Sequence, residues 1–259
     1  MRSKDLTELA RNSDFISGIY NYCDRWCERC PFTARCLVYA SDDEEQDHDP
    51  QSRDINNAAF WRKLEAIFRE TREMIARWGE EAGVDLNEID EASSARREKR
   101  RTKAAQDSLA LAAKKYAFAV DDWFRACDEI IERHDGPGLE KELEETERTL
   151  EAREVIGWYQ YQIAVKIMRA LSSLNDENRW PDEENFGNDS DGSAKVALIG
   201  IDRSVSAWRL MQIAVPEQDE SIVPLILSLE SLRQKVERRF PNARGFIRPG
   251  FDEVIGSAN

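Results

Sequence analysis

The sequence contains few of the residues that interrupt helices, with 12 glycines and 8 prolines among 259 residues. It also lacks the runs of β-branched residues, separated by turn signals, that a sheet requires. Charged residues make up 34% of the chain and hydrophobic residues 41%, a mixture typical of long amphipathic helices. We therefore expect an all-α protein: a bundle of four to five long helices preceded by a small N-terminal cysteine-rich helical module.

Long apolar runs are missing as well. No stretch reaches the ~18 consecutive apolar residues of a membrane span, and the charged N-terminus does not resemble a signal peptide. The formal net charge of −14 disfavours nucleic acid as a partner, because that interaction requires a basic surface. We predict a cytoplasmic protein with no membrane association and no specific nucleic-acid binding.

Histidine is scarce, with only His48 and His134 in the whole chain. Di-iron centres in helical bundles use Glu-x-x-His pairs, and the only such pair here, Glu45 with His48, lies in an acidic linker. The sequence shows no glycine-rich phosphate loop and no Ser/His/Asp set. We assign no catalytic residues, and the sequence favours a protein without catalytic activity of its own.

Composition divides the chain into a cysteine-rich module (1–40), an acidic linker (41–53), a helical bundle (54–240) and an irregular tail (241–259). Apolar spacings of three and four residues predict helices over 54–78, 103–134, 139–174, 194–215 and 218–240. In the first helix the apolar residues at these spacings, from Phe60 to Trp78, form a seam along one side, and we expect this side to be buried. The corresponding seam of the third helix includes Leu150 and Tyr161, which we expect to be buried as well. The basic block at 96–103 is interpreted as a solvated helix start or loop.

Four of the five cysteines lie close together, in the pattern Cys23-x3-Cys27-x2-Cys30-x5-Cys36. Thiols stay reduced in the cytoplasm, so clustered cysteines there indicate ligands more than disulfides. A helix over 14–30 would place the first three on one face, and the proline that follows would let the chain turn back with the fourth. We predict that all four bind one metal ion or one iron–sulfur cluster.

Compact cysteine runs are typical of iron–sulfur ligation, whereas structural zinc sites pair two short knuckles across a longer loop. The segment Cys27-Glu28-Arg29-Cys30-Pro31-Phe32-Thr33-Ala34-Arg35-Cys36 resembles the C-x2-C-P-[F/Y]-x3-C segment of CRISPR-associated exonucleases and AddB-type helicase–nucleases. In those families it holds a [4Fe-4S] cluster, so the resemblance implies the same cofactor on these cysteines. No Asp…Glu-x-Lys nuclease core on strands accompanies it, and nuclease activity is not implied.

The first three cysteines also match the spacing of radical SAM enzymes. That motif follows the first strand of an α/β barrel, and this sequence shows no alternation of strands and helices. The leading hypothesis is a [4Fe-4S] protein that transfers electrons or senses redox state with a partner protein. The alternative is a zinc-stabilised helical scaffold without catalysis, and a third hypothesis is an enzyme that uses the cluster in a bundle pocket. Exposed helical seams also make a homo-oligomer an expectation.

Overall fold

The computed structural model describes residues 12–44, 56–83, 91–131, 142–174 and 189–252. Within these ranges the regular structure is helical and no strand occurs, so the predicted all-α class is confirmed. The α-helices are α1 (Leu37–Glu44), α2 (Ala58–Ala82), α3 (Glu91–Gln106), α4 (Ser108–Ile131), α5 (Glu142–Leu174), α6 (Asp189–Ala214) and α7 (Asp219–Arg239). Most of the predicted linker, including His48, lies outside the described residues, as do His134 and the end of the tail.

Helices α3 and α6 depart most from the predicted pattern. The basic block at 96–103 lies inside α3, because arginine and lysine have a high helix propensity. Helix α6 begins at Asp189 instead of position 194, in a stretch that the sequence predicts as loop. The carboxylate of Asp189, the first residue of α6, accepts hydrogen bonds from Arg169 at 2.7 Å and from Ser173 at 2.6 Å. These bonds tie the start of α6 to the end of α5.

Helices α4 to α7 form a four-helix bundle. Helix α5 packs against α4 and α6, and α7 closes the ring by packing against both α4 and α6. At Gly200 of α6 the backbone approaches α5 so closely that a Cβ atom would lie 2.9 Å from the ring of Tyr159. The bundle predicted from the apolar spacings is therefore present.

The buried face of α5 is only partly the predicted one, since Ala164 and Leu171 of the predicted seam are buried but others are not. Leu150 is 60% exposed and Tyr161 48% exposed, whereas Ile156, Ile163 and Ile167 are almost completely buried. The second half of α5 is apolar over most of its circumference, so periodicity alone does not select a face. The packing of α6 selects it, and the hydroxyl of Tyr161 instead donates a hydrogen bond to Asp121 at the surface.

Aromatic side chains form the centre of the bundle. Trp208 is completely buried, and its ring stands edge-on to that of Trp123, with centroids 4.9 Å apart. The indole N–H of Trp208 donates to the hydroxyl of buried Tyr116 at 2.9 Å, and that of Trp123 donates to Ser221 at 3.0 Å. Buried indole groups require such partners, so these bonds fix the register of α4 against α6 and α7.

The chain divides into two compact units. One consists of Met1–Arg96 together with Arg248–Asn259, and the other of Arg97–Ile247. The second unit contains the four-helix bundle, and the first contains the cysteine segment, α1 and α2. None of the helices in the described ranges combines the length and the hydropathy that crossing a bilayer requires.

Candidate metal centre

The cysteine segment is built from tight turns. Short 3-10 turns cover Ile19–Asn21, Cys27–Arg29 and Thr33–Arg35, and α1 follows the last of them. The amide of Cys30 donates to the carbonyl of Cys27 at 3.1 Å, and the amide of Cys36 donates to Thr33, also at 3.1 Å. Each of the last two turns therefore ends on a cysteine.

Residues 14–30 do not form the continuous helix that would place the first three cysteines on one face. Gly18 and Arg25 have positive φ angles of 73° and 58°, which no α-helix accommodates. The carboxylate of Asp24 also accepts a hydrogen bond from the amide of Trp26 at 3.3 Å, a local turn that competes with helix formation. The cysteines are brought together by a folded loop and not by a shared helical face.

A pair of contacts returns the end of this loop to its beginning. The amide of Ile16 donates to the carbonyl of Arg35 at 3.0 Å, and the guanidinium of Arg35 donates to the carbonyl of Asp14 at 3.2 Å. These bonds join a segment upstream of the first cysteine to the residue directly before the last. They close the loop that carries all four cysteines.

All four predicted ligands line one pocket. Cys23, Cys27, Cys30 and Cys36 all line one small pocket of about 20 Å³, and each of them is a free, half-buried cysteine. Most other residues that line the pocket are apolar or aromatic: Ile19, Tyr20, Trp26, Val38, Tyr39 and Phe251. The polar residues of the lining are Asp24, Arg25 and Thr33. The donor set therefore consists of four thiols around one cavity.

Electrostatics within the pocket disfavours free thiolates. Burial, followed by repulsion from Cys23, Cys36 and Cys30, raises the pKa of the Cys27 thiol. Burial also raises the pKa of Cys30, although the amide of Phe32 opposes this shift by donating to the Cys30 sulfur at 3.4 Å. A bound cation or cluster would offset this repulsion and displace the thiol protons.

An aromatic shell supports the pocket. Ile19, Tyr22 and Trp26 are at most 5% exposed and form a small core beneath the turns. The guanidinium of Arg29 lies 4.1 Å from the centre of the Trp26 ring, a cation–π contact that fixes the turn after Cys27. Such a shell limits the access of water to the sulfur atoms.

The C-terminal segment closes the site, which sequence reasoning missed. Phe251 lines the pocket, and Arg248 lies over its ring at 4.7 Å while pairing with Asp252 at 3.0 Å. Gly250 has a φ of 75°, and a Cβ atom there would lie 2.9 Å from Ile16. The sequence predicts only an irregular tail here. The signal that could have indicated a packed segment is the apolar residue Phe251 directly after a Pro-Gly turn.

The four cysteines share a pocket, but they are not preassembled as a metal site. Among the described residues, no group of three or more histidine, cysteine, aspartate or glutamate side chains is arranged to hold a metal ion. Cys127 lies in α4, but its side chain is outside the part of the structure that is described. Its predicted place in the bundle core stays a prediction.

Charged groups in the bundle form ion pairs at the surface. Asp202 of α6 pairs with Arg244 at 2.5 Å and with Arg233 of α7 at 3.7 Å, and Arg244 also pairs with Glu237 at 2.8 Å. These bonds link α6, α7 and the turn that follows α7. The carboxylate of Asp202 therefore serves to hold these elements together.

In the part of the chain that the structure describes, the four cysteines predicted as ligands thus share one pocket. No protein-family model matches the chain, and neither a curated protein nor a solved structure is similar to it.

Proposed function

We propose that Cys23, Cys27, Cys30 and Cys36 bind a [4Fe-4S] cluster, and that the protein transfers electrons or senses redox state for a partner protein in the cytoplasm. The observation that carries the proposal is the lining of one pocket by all four thiols. The compact spacing of the cysteines and their resemblance to known cluster segments support it. When bound, such a cluster would supply one-electron redox chemistry.

A zinc ion and a cluster would hold the thiols at different separations. Four sulfurs bound to one zinc at ~2.3 Å lie within roughly 4 Å of one another, because the ion occupies the centre of their tetrahedron. Ligands of a four-iron cluster bind four different irons and stand farther apart. The distances between the four sulfurs in the loaded protein would therefore distinguish the two cofactors.

The surroundings of the sulfurs suit a redox role. The amide of Phe32 donates to the Cys30 sulfur, and hydrogen bonds of this kind stabilise the electron-rich thiolate. The apolar side chains of Trp26 and Phe251 exclude water, which also tunes the reduction potential. The cysteines are only half-buried, so one edge of the site stays within reach of a docked partner.

The deciding experiment is an absorption spectrum of anaerobically purified protein, with iron, sulfide and zinc determined on the same sample. We expect a broad band near ~400 nm and equal amounts of iron and sulfide. Reduction with dithionite should then bleach the band and produce an electron paramagnetic resonance signal. A colourless protein with one zinc per chain would contradict the proposal and support the zinc-stabilised scaffold.

A further inference from the structure

Helix α2 is strongly amphipathic, yet much of its apolar face is exposed to solvent in the described part of the chain. Its apolar residues follow one face, as the sequence predicts, but Trp61, Phe68 and Trp78 are 54%, 62% and 60% exposed. Gly79 is the only buried residue of this helix among those whose burial is described. Isolated helices are marginally stable in water and acquire their stability by burying such a face. The predicted buried seam is therefore exposed within the described part of the chain and fits a partner.

We propose that this seam is a dimer interface, in which α2 packs in parallel against α2 of a second copy of the chain. The seam is the apolar face of α2, formed by Phe60, Trp61, Leu64, Ile67, Phe68, Thr71, Met74, Ile75 and Trp78. In a parallel, in-register pair the residues at the centre of the seam meet their own equivalents, and those at one edge meet the opposite edge of the second copy. The aromatic side chains would then be buried at the centre of the interface.

The charges beside the seam are complementary in this arrangement. Lys63 and Glu70 lie along one flank, and Glu65 and Arg72 lie along the other. In a parallel pair each flank faces the opposite flank of the second copy at the same height. Lys63 then approaches Glu65 of the second copy, and Glu70 approaches Arg72, twice each by symmetry.

Other occupants fit the helix less well. An antiparallel pair would bring equivalent flanks together, so Glu70 would approach Lys63 or Glu70 of the second copy and not Arg72, and the charge reversal described below separates the two arrangements. A membrane surface attracts helices with a cationic polar face, whereas α2 is neutral. Its five basic residues balance five acidic ones: Arg62, Lys63, Arg69, Arg72 and Arg77 against Glu65, Glu70, Glu73, Glu80 and Glu81.

The exposed area is of the size that a dimer requires. A large aromatic side chain presents roughly 150–250 Å², so the exposed parts of Trp61, Phe68 and Trp78 contribute roughly 350 Å² per copy. Ile75, which is 45% exposed, adds to this area together with its neighbours along the seam. Stable interfaces bury about 600–800 Å² per partner, so the seam supplies most of the apolar area such an interface needs.

Sedimentation equilibrium of the full chain over a range of concentrations tests this proposal. We expect a monomer–dimer equilibrium that Phe68→Asp weakens at least 100-fold, because it places a charge in the seam. Ala66→Asp is the matched control, since it adds the same charge to the opposite face of α2. It should leave the dissociation constant within about threefold of the wild type.

A charge reversal distinguishes this interface from other apolar contacts and does not disturb the seam. Glu70→Arg should weaken the dimer about tenfold, and Glu70→Arg combined with Arg72→Glu should restore it. Circular dichroism should show the same helix content for all variants. A monomer at every concentration, a dimer unaffected by Phe68→Asp, or binding of the chain to neutral lipid vesicles through this seam would overturn the proposal.

Discussion

Phe251 stands edge-on to Phe32, with ring centroids 5.0 Å apart and planes at 82°. Phe32 lies on the turn between Cys30 and Cys36, and Phe251 comes from the far end of the chain. This contact makes the C-terminal segment a wall of the cysteine pocket. The site is therefore assembled from both ends of the sequence, although all its thiols lie within one short segment.

Shortening Phe251 should open the pocket. In Phe251→Ala protein from which metal has been removed, we expect the four cysteines to react several-fold faster with a thiol reagent, because the aromatic wall is lost. The loss of a half-buried ring should also lower the free energy of unfolding by about 1–2 kcal/mol. Ile247→Ala is a suitable control, since Ile247 is 60% exposed. Equal reaction rates in both variants would show that the tail does not shield the thiols.

Each of the four clustered cysteines should be needed for the cofactor. We expect Cys30→Ser to lose at least about 80% of the bound iron, because serine is a poor ligand for the cluster and the hydrogen bond from Phe32 loses its sulfur acceptor. Cys127→Ser should retain its iron, since Cys127 lies outside the cluster of four. The iron and sulfide content per chain measures the effect. Equal loss of iron in both variants would contradict the assignment of the clustered cysteines as ligands.

Two glycines in the bundle should respond oppositely to alanine. At Gly200 a Cβ atom would lie 2.9 Å from the ring of Tyr159, which is completely buried and cannot move aside. Overpacking costs about 1–3 kcal/mol and exceeds the gain in helix propensity of about 1 kcal/mol, so Gly200→Ala should destabilise the protein. At Gly157 the nearest atom, in Phe124, is 3.8 Å away, and Gly157→Ala should stabilise by about 0.5–1 kcal/mol. Urea unfolding measures both, and the same sign for both variants would contradict the packing described here.

Tyr116 should make the bundle less stable as the pH rises into the alkaline range. Its burial raises the pKa of the phenol above the value of about 10 that it has in the unfolded chain. Below pH ~10 the phenol is neutral in both states, so its contribution to stability is complete. Above that pH the unfolded state loses the proton first, and stability falls by up to about 1.4 kcal/mol per pH unit.

Urea unfolding of Tyr116→Phe at several pH values isolates this effect. The variant should be less stable by about 1 kcal/mol at pH 8, because the hydrogen bond from Trp208 is lost. Between pH 10 and pH 11 its stability should decline less steeply than that of the wild type. Parallel curves for the two proteins would mean that Tyr116 does not titrate differently on folding.

The helical class and the approximate bounds of the long helices could be predicted because they depend on local properties. Apolar residues at spacings of three and four, the scarcity of glycine and proline, and stop signals such as Gly83 all act within one or two turns of a helix. The grouping of the four cysteines around one pocket was also predictable, since so few residues separate them that almost any compact loop brings their thiols together.

Tertiary contacts decided the rest. Which face of α5 is buried depends on α6, because the sequence around Tyr161 is apolar on most sides. The seam of α2 has the periodicity of a buried face, but periodicity records only that a face is apolar and does not identify what covers it. The turns at Gly18 and Arg25 and the closure of the pocket by Phe251 depend on φ angles and on contacts distant in sequence. By itself, the sequence therefore determined the helical class and the grouping of the four cysteines, whereas only the tertiary structure decided the wall, shape and shielding of their pocket.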